Sequence, residues 1–335
     1  MTARPSSAGT LACALSIAAL VFTLGCKSGT EAAAKPPSPP FMAAVATPQL
    51  PGASDAPSPD KTGGFDGKRA YDLVAKQVAF GPRPSGSPAI VQLRNFLESE
   101  LKSYGCTVES DSFSADTPAG RLPMKNLLVK IPGERPGILL LATHYDTKRL
   151  DNFVGADDAG SSTAVMLELA RHLCNAGAKR GRYAVWIAFF DGEEAVRKDW
   201  EDPDNRYGSR QMAAKLAVSG DLKKIRALLL ADIVGGHDMR IKREADSTKE
   251  LTELIWSTAA RLGYTSTFVN DPDQAMSDDH DSFLKRGVPA VDLIAFDSAS
   301  GYWHTPADAL DKISAKSLAI VGHVLLESLK QLQLK

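Results

Sequence analysis

The segment "GILLLATHYD", residues 137–146, constrains this chain more than any other. It is apolar on consecutive positions, so a strand formed from it leaves neither face free for water and has to be covered on both sides. Further strand-like runs, "RYAVWIAFFDGEE" (182–194), "IRALLLADIVGG" (225–236) and "VPAVDLIAF" (288–296), recur along the chain. Between them lie segments of helical period: "SSTAVMLELARHLCNAG", "SRQMAAKLAVSG", "KELTELIWSTAARLG" and the closing "SAKSLAIVGHVLLESLKQLQ". Two helices, "GKRAYDLVAKQVAF" and "AIVQLRNFLESELKSYG", stand before the first buried strand, the second capped by Gly105. "CTVESDSFSA" and "MKNLLVKIPG" read as strands at one side of the sheet. Strands alternating with helices predict an α/β fold, a three-layer sandwich with a mostly parallel mixed central sheet and helices on both faces.

The N-terminus reads as processing signal rather than fold. Arg4 is followed by the apolar run "LACALSIAALVFTLGC", too short and too early for a dependable spanning helix, so residues 1–26 read as a signal peptide. Its end, "TLGC", resembles a bacterial lipobox with Cys26 as the lipidated residue, although Thr23 stands where Leu is usual. The expectation is an exported bacterial protein, lipid-anchored at the membrane and facing the periplasm or the cell exterior. Residues 27–64 are rich in Ala, Pro, Ser and Gly and read as a flexible tether, leaving residues 65–335 as the catalytic domain. Past Cys26 only Cys106 and Cys174 remain; pairing and two free buried thiols are both open. With 39 basic against 40 acidic residues and no Lys/Arg block, nothing points to nucleic acid. The domain is expected to be a monomer.

In open α/β sheets ligands bind outside the carboxyl ends of the strands. Ionisable residues gather there: His144 and Asp146 after one strand, Asp191, Glu193 and Glu194 after the next, then Asp232. The loop "VGADDAGSS" adds Asp157 and Asp158, and "YWHT" adds His304. Carboxylate and imidazole donors suit zinc, and a catalytic zinc keeps one position for substrate. Asp158, Glu194 and His304 would make such a three-ligand site, with Glu193 free beside it as a proton carrier. A register shift of one in the "GADDAG" loop would exchange Asp157 for Asp158. His172 and His323 lie in helical segments and read as surface or packing residues, His237 has no assigned role, and His280 reads as ordering its loop.

The motifs "HYDTK", "GADDAGSSTAVMLELA", "FFDGEEA…YGSRQMAAKL", "SDDHDSFLKRGVP" and "YWHTPAD" resemble those of the glutaminyl-peptide cyclotransferases of the zinc M28 peptidase superfamily, from about residue 65 onward. The resemblance implies one Zn²⁺ held by Asp158, Glu194 and His304, and Glu193 as general acid/base. It implies Asp232 and Asp278 as hydrogen-bonding groups around the reaction, Trp303 as a pocket wall and Trp200 at its mouth. The implied substrate is a peptide or protein bearing N-terminal Gln, converted to pyroglutamate with release of ammonia. Two departures stand out: Asp292 where animal cyclases usually have His, and Thr143 where they have Cys. "VRKDWEDPDN" is also one residue longer before Trp200. The rival expectation is an M28 aminopeptidase, in which His144, Asp158 and Asp232 would hold a second zinc and Glu193 would activate water. A fold retained only for binding would have lost one of Glu193, Glu194, Asp158 or His304, and all four are present.

Overall fold

The computed structural model describes residues 51–175, 180–272 and 274–335. In chain order the elements are α1 Gly67–Val78, α2 Pro88–Ser103, β1 Val108–Thr117, β2 Gly120–Ile131, β3 Arg135–His144, α3 Gly160–Leu173, β4 Tyr183–Phe190, α4 Tyr207–Ser219 and β5 Ile225–Asp232. They continue with β6 Ile241–Arg243, α5 Lys249–Arg261, β7 Phe268–Pro272, α6 Asp281–Leu284, β8 Ala290–Ile294, α7 Phe296–Ala299 and α8 Ala315–Leu334.

Six strands form one sheet in the order β1-β2-β4-β3-β5-β8. β4, β3, β5 and β8 run parallel, while β2 pairs antiparallel with both β1 and β4. The period-2 alternation of a strand sends the consecutive apolar residues of β3 to opposite layers. Leu139 and Leu141 enter a core shared with α1, α2, α3, α5 and α8, whereas Ile138, Leu140 and Ala142 enter a second core under α4 and α6. That is the three-layer sandwich the apolar runs predict. Each of the fully buried leucines contributes about 1.5–3 kcal/mol by leaving water, and truncating one to Ala costs about 2–5 kcal/mol. The edge strand β1 alternates exposed and half-buried residues and carries Glu109, Asp111 and Asp116, charges that blunt an open edge. The short parallel pair β6–β7 has no counterpart in the sequence expectation.

Capping sets the helix starts. Asp66 accepts from Arg69 N (3.0 Å) at α1, Ser87 accepts from Ile90 N (3.1 Å) at α2 with Pro88 in the first turn, and Ser314 accepts from Ser317 N (3.2 Å) at α8.

One expectation changes and one open question closes. The tether does not reach residue 64: Ala53 and Thr62 are buried, and Asp55 accepts from Ser314 Oγ (2.6 Å) and Lys316 N (2.9 Å), reinforcing the α8 cap. Small and polar residues there act as a strap across a helix start, which composition does not distinguish from a linker. Cys106 and Cys174 form a disulfide with Cα atoms 5.2 Å apart, joining the segment after α2 to the end of α3. Cys26 and the rest of residues 1–50 lie outside the described residues. Among the described residues no helix is long and apolar enough to cross a membrane.

Candidate functional site

β3 has β4 on one side and β5 on the other, so the chain reverses its direction of travel across the sheet at β3. A crevice opens where the crossovers diverge at the carboxyl ends of such strands. His144 ends β3 and Asp232 ends β5, while β4 runs into the turn carrying Glu193 and Glu194. That turn needs Gly192, at φ +75°, where a Cβ would stand 2.7 Å from Met124 Sδ. Asp146 then accepts from both Glu193 N (3.1 Å) and Glu194 N (3.4 Å), which turns the two glutamates into the crevice. Asp191 points elsewhere: it takes Arg94 Nη2 (2.5 Å), Ser85 Oγ (2.6 Å) and Lys125 N (2.8 Å).

The loop before α3 is pinned in the same manner. Gly155, at φ +49°, allows a close approach in which any Cβ would lie 2.0 Å from Asp158 O. Asp308 accepts from Asp157 N (2.7 Å) and Asp158 N (3.1 Å). Asp157 is occupied by Gly235 N (2.7 Å) and Tyr302 Oη (2.6 Å), so the carboxylate offered to the crevice is Asp158. The register question of that loop is thereby resolved.

Asp158, Glu194 and His304 bring one donor atom each to within 4.8 Å of the others. His304 Nε2 stands 3.1 Å from Glu194 Oε1 and 3.4 Å from Asp158 Oδ2. A second triad, His144, Asp158 and Asp232, adjoins it through the shared Asp158, with His144 Nε2 at 3.3 Å from Asp158 Oδ1 and 3.1 Å from Asp232 Oδ1. Both triads fit a divalent cation by donor chemistry, and Glu194 Oε2 and His144 Nδ1 are buried without a hydrogen bond. Burial opposes charge on His304, yet Asp158 and Glu194 raise it to about 9. Against the same penalty, hydrogen bonds from His144 and His304 hold Asp158 below the carboxylate range. The crevice thus draws positive charge towards Asp158.

Glu193 stands apart from the first triad, its Oε2 3.8 Å from His144 Nδ1. Burial, with Asp278, Glu194 and Asp279 adding to it against His144, pushes Glu193 well above the carboxylate range. Burial also raises Asp232, to about 7, although His144 pulls the other way. Asp278 accepts from Asp279 N and lines the same space.

These groups floor a pocket of about 160 Å³. Its walls are Trp303, Phe296, Ile233, Ile294, Met276 and Trp200. Trp303 stacks on His304 with ring centroids 3.8 Å apart and an interplanar angle of 19°, and Phe296 meets Trp303 edge-on at 4.9 Å. Ile233 and His304 both have positive φ, +47° and +52°. For a β-branched residue that conformation costs on the order of 1–3 kcal/mol, and strain of this kind gathers at functional sites. The extra residue in "VRKDWEDPDN" does not displace Trp200 from the pocket lining, and the Trp200 ring lies 5.5 Å from Lys148 Nζ.

Every proposed site residue thus reaches one crevice: Asp158, Glu194, His304, Glu193, Asp232, Asp278, Trp303, Trp200 and His144. Sequence reasoning assigned no role to Asp308, Tyr302 or Lys148. Lys148 is buried, with Nζ 3.6 Å from Glu194 Oε2. Their motifs are visible, but their partners lie 46 to 151 positions away in the chain, and no local signal encodes that.

The model of peptidase family M28 matches residues 126–329. A glutaminyl-peptide cyclotransferase-like protein of Bos taurus is 32% identical over 254 residues, 68% of this chain, and the chain spans 66% of that relative's length. A crystal structure of an Acidobacteriales bacterium glutaminyl cyclase superposes with a TM-score of 0.75 at 41% identity, covering 81% of this chain and 95% of that one. A zinc-dependent exopeptidase from Parabacteroides distasonis superposes with a TM-score of 0.70 at 28% identity, covering 78% and 97%.

Proposed function

The chain belongs to peptidase family M28, and from that premise we propose that it is a glutaminyl-peptide cyclotransferase, closing the N-terminal Gln of peptides or proteins to pyroglutamate with release of ammonia. The observation that carries this reading is the small pocket itself. Its floor is the buried Glu193 beside three side chains that could hold a metal ion, and its wall is a tryptophan stacked on one of those three.

Asp158, Glu194 and His304 would hold one Zn²⁺, which when bound supplies the positive charge that polarises the substrate carboxamide. The remaining work falls to the chain. Trp303, Phe296 and Ile294 exclude water and confine the Gln side chain in a curled form, so the α-amine meets its own carboxamide carbon intramolecularly. A bond forms between the α-nitrogen and that carbon, and the bond from the carbon to the amide nitrogen breaks. Glu193 carries the proton, accepting it from the attacking amine and delivering it to the departing ammonia. Asp232 and Asp278 accept hydrogen bonds from the nitrogens, and Asp278 adds to the burial that keeps the Glu193 carboxyl high.

A second reading has support of its own: His144, Asp158 and Asp232 would accept a second zinc, as a co-catalytic aminopeptidase requires. Mass spectrometry with one Gln-initiated and one Leu-initiated peptide separates the two. The cyclase expectation is that the Gln peptide alone loses the mass of ammonia and that a chelator stops it. Loss of the first residue from the Leu peptide refutes it in favour of hydrolysis.

The N-terminal segment supports export and lipid anchoring through Cys26, and the Cys106–Cys174 disulfide suits an oxidising compartment. Cys26→Ala is expected to move the protein from the membrane fraction to the soluble fraction. Persistence in membranes would refute the anchor.

A further inference from the structure

Two buried charges that the proposed chemistry leaves unused join two separate parts of the pocket lining. Between β4 and α4 the chain makes an excursion that brings Trp200 to the pocket. Its neck is closed by Arg206 N donating to Glu193 O (2.7 Å) and Tyr207 N donating to Gly192 O (2.7 Å). Inside it Asp204 accepts from Val196 N (3.1 Å), Arg197 N (2.9 Å) and Tyr207 Oη (2.7 Å). Compact loops with closely spaced ends are frequently functional. Met276, Ser277 and Asp278 line the same pocket from the segment that leads into α6. Arg206 is 3% exposed and Asp281, the first residue of α6, is 8% exposed. Arg206 Nη1 donates to Asp281 Oδ2, Nη2 to Asp202 Oδ1 (2.6 Å) and Nε to Asn205 Oδ1 (3.0 Å). One guanidinium therefore grips the Trp200 loop and the start of α6 together. Asp281 also accepts from Lys285 Nζ (2.9 Å), a bond that stays on the α6 side. Ser209 Oγ and Ser282 Oγ, 2.9 Å apart, add one further contact between α4 and α6.

A buried guanidinium is tolerated only when it is paired and hydrogen-bonded, and here three side chains supply the acceptors. The planar fork fixes acceptors on two chain segments at once, which the point charge of a lysine does not do. Arg206 also holds a left-handed backbone, φ +50°, a conformation kept where the surrounding contacts over-determine it. The groups closest to the reaction are pinned by other bonds. Asp146 accepts from Glu193 N and Glu194 N, and Asp308 from Asp157 N and Asp158 N. What the buried pair fixes is the spacing of Trp200 from Met276, Ser277 and Asp278. We propose that Arg206 and Asp281 are positioning residues that set the width of the pocket mouth, holding the Trp200 loop and the Asp278 segment at the spacing that encloses the Gln side chain. The pair acts on how substrate is held, not on proton transfer or on the ligands of a metal.

The enclosure of Gln rests on the cyclase reading, so the test has one arm that needs no activity. Acrylamide quenching of Trp200, taken as the difference between each zinc-loaded protein and its Trp200→Phe counterpart, is expected to rise in Asp281→Asn. Quenching equal to wild type overturns the proposal. In ammonia-release kinetics with a Gln peptide, Asp281→Asn and Arg206→Leu are each expected to raise KM about tenfold with kcat within about threefold of wild type, the pattern of lost substrate binding between coupled residues. The double variant is expected to be no worse than the worse single one, because either change opens the same clamp. Lys285→Ala, which removes only the bond on the α6 side, is expected to leave KM and kcat unchanged. A fall in kcat at unchanged KM, additive single effects, or equal damage from Lys285→Ala overturns the proposal. So does a lowered melting midpoint with wild-type KM, because the pair would then serve stability alone. Loss of zinc from Asp281→Asn, measured by elemental analysis, overturns it as well. Should Arg206→Leu fail to fold, Asp281→Asn and Lys285→Ala still decide. Should wild type release no ammonia, the cyclase reading fails while the quenching result stands on its own.

Discussion

Replacing both Cys106 and Cys174 with Ser is expected to lower the stability of the domain without touching its chemistry. The two residues are separated by 68 positions. Closing a loop of that length in the unfolded chain removes an entropy worth about 4 kcal/mol at 25 °C in the chain-entropy account. The closed loop contains β1 to β3 and α3, so the crosslink restricts a large part of the unfolded ensemble. For a domain of this size 1 kcal/mol shifts the midpoint by roughly 2–4 °C, so the double variant should melt roughly 10 °C lower. The assay is thermal unfolding of protein lacking residues 1–50, which removes Cys13 and Cys26, with and without reductant. Reduced wild type should coincide with the double Ser variant, and thiol alkylation of unreduced, denatured wild type should find no free thiol. A Ser variant as stable as oxidised wild type would refute the loop-entropy reasoning; two reactive thiols would refute the pairing.

Glu193→Gln keeps shape and metal ligands but cannot carry the proton, so kcat for ammonia release should fall about 10²–10⁴-fold with metal content unchanged by elemental analysis; a loss under tenfold would remove Glu193 from its role. Tyr302→Phe deletes the donor to buried Asp157 and should cost about 1–3 kcal/mol, measured by denaturant unfolding, and an unchanged midpoint would show that water replaces the hydroxyl. Glu244 pairs with His280 and backbone donors that, against burial, hold it down at about 2 from 4.5. Its folded value is the lower one, so the stability it contributes is present above pH 4.5 and lost as pH falls towards 2. The deficit of Glu244→Gln, read from unfolding midpoints, should be full at pH 7 and shrink across that window; a pH-independent deficit would contradict the assignment.

Much of the site was legible because its ionisable side chains sit at strand ends. A run such as "YAVWIAFF" identifies a strand, and the residue that follows an apolar run is the one at the crevice, so Glu193, Glu194, His144 and Asp232 could be placed by position alone. Trp303 was legible by its adjacency to His304. Asp308 and Lys148 were not, since their work is done on Asp157, Asp158 and Glu194 across long stretches of chain. The strap at residues 52–64 was hidden for the opposite reason: Ala, Pro and Ser make the same composition whether they hang free or lie on a helix start.

By itself the sequence determined the layers, the parallel core and the inventory of donors, because hydrophobic period and strand-end position are local properties of the chain. The tertiary structure alone decided which of two neighbouring aspartates is offered to the crevice, that the two cysteines pair, and that Arg206 joins the Trp200 loop to the start of α6. Those are questions of distance between remote residues and of access to water. The energy of a buried carboxyl depends on its neighbours in space, and the order of residues along the chain does not contain that information until the sheet has brought them together.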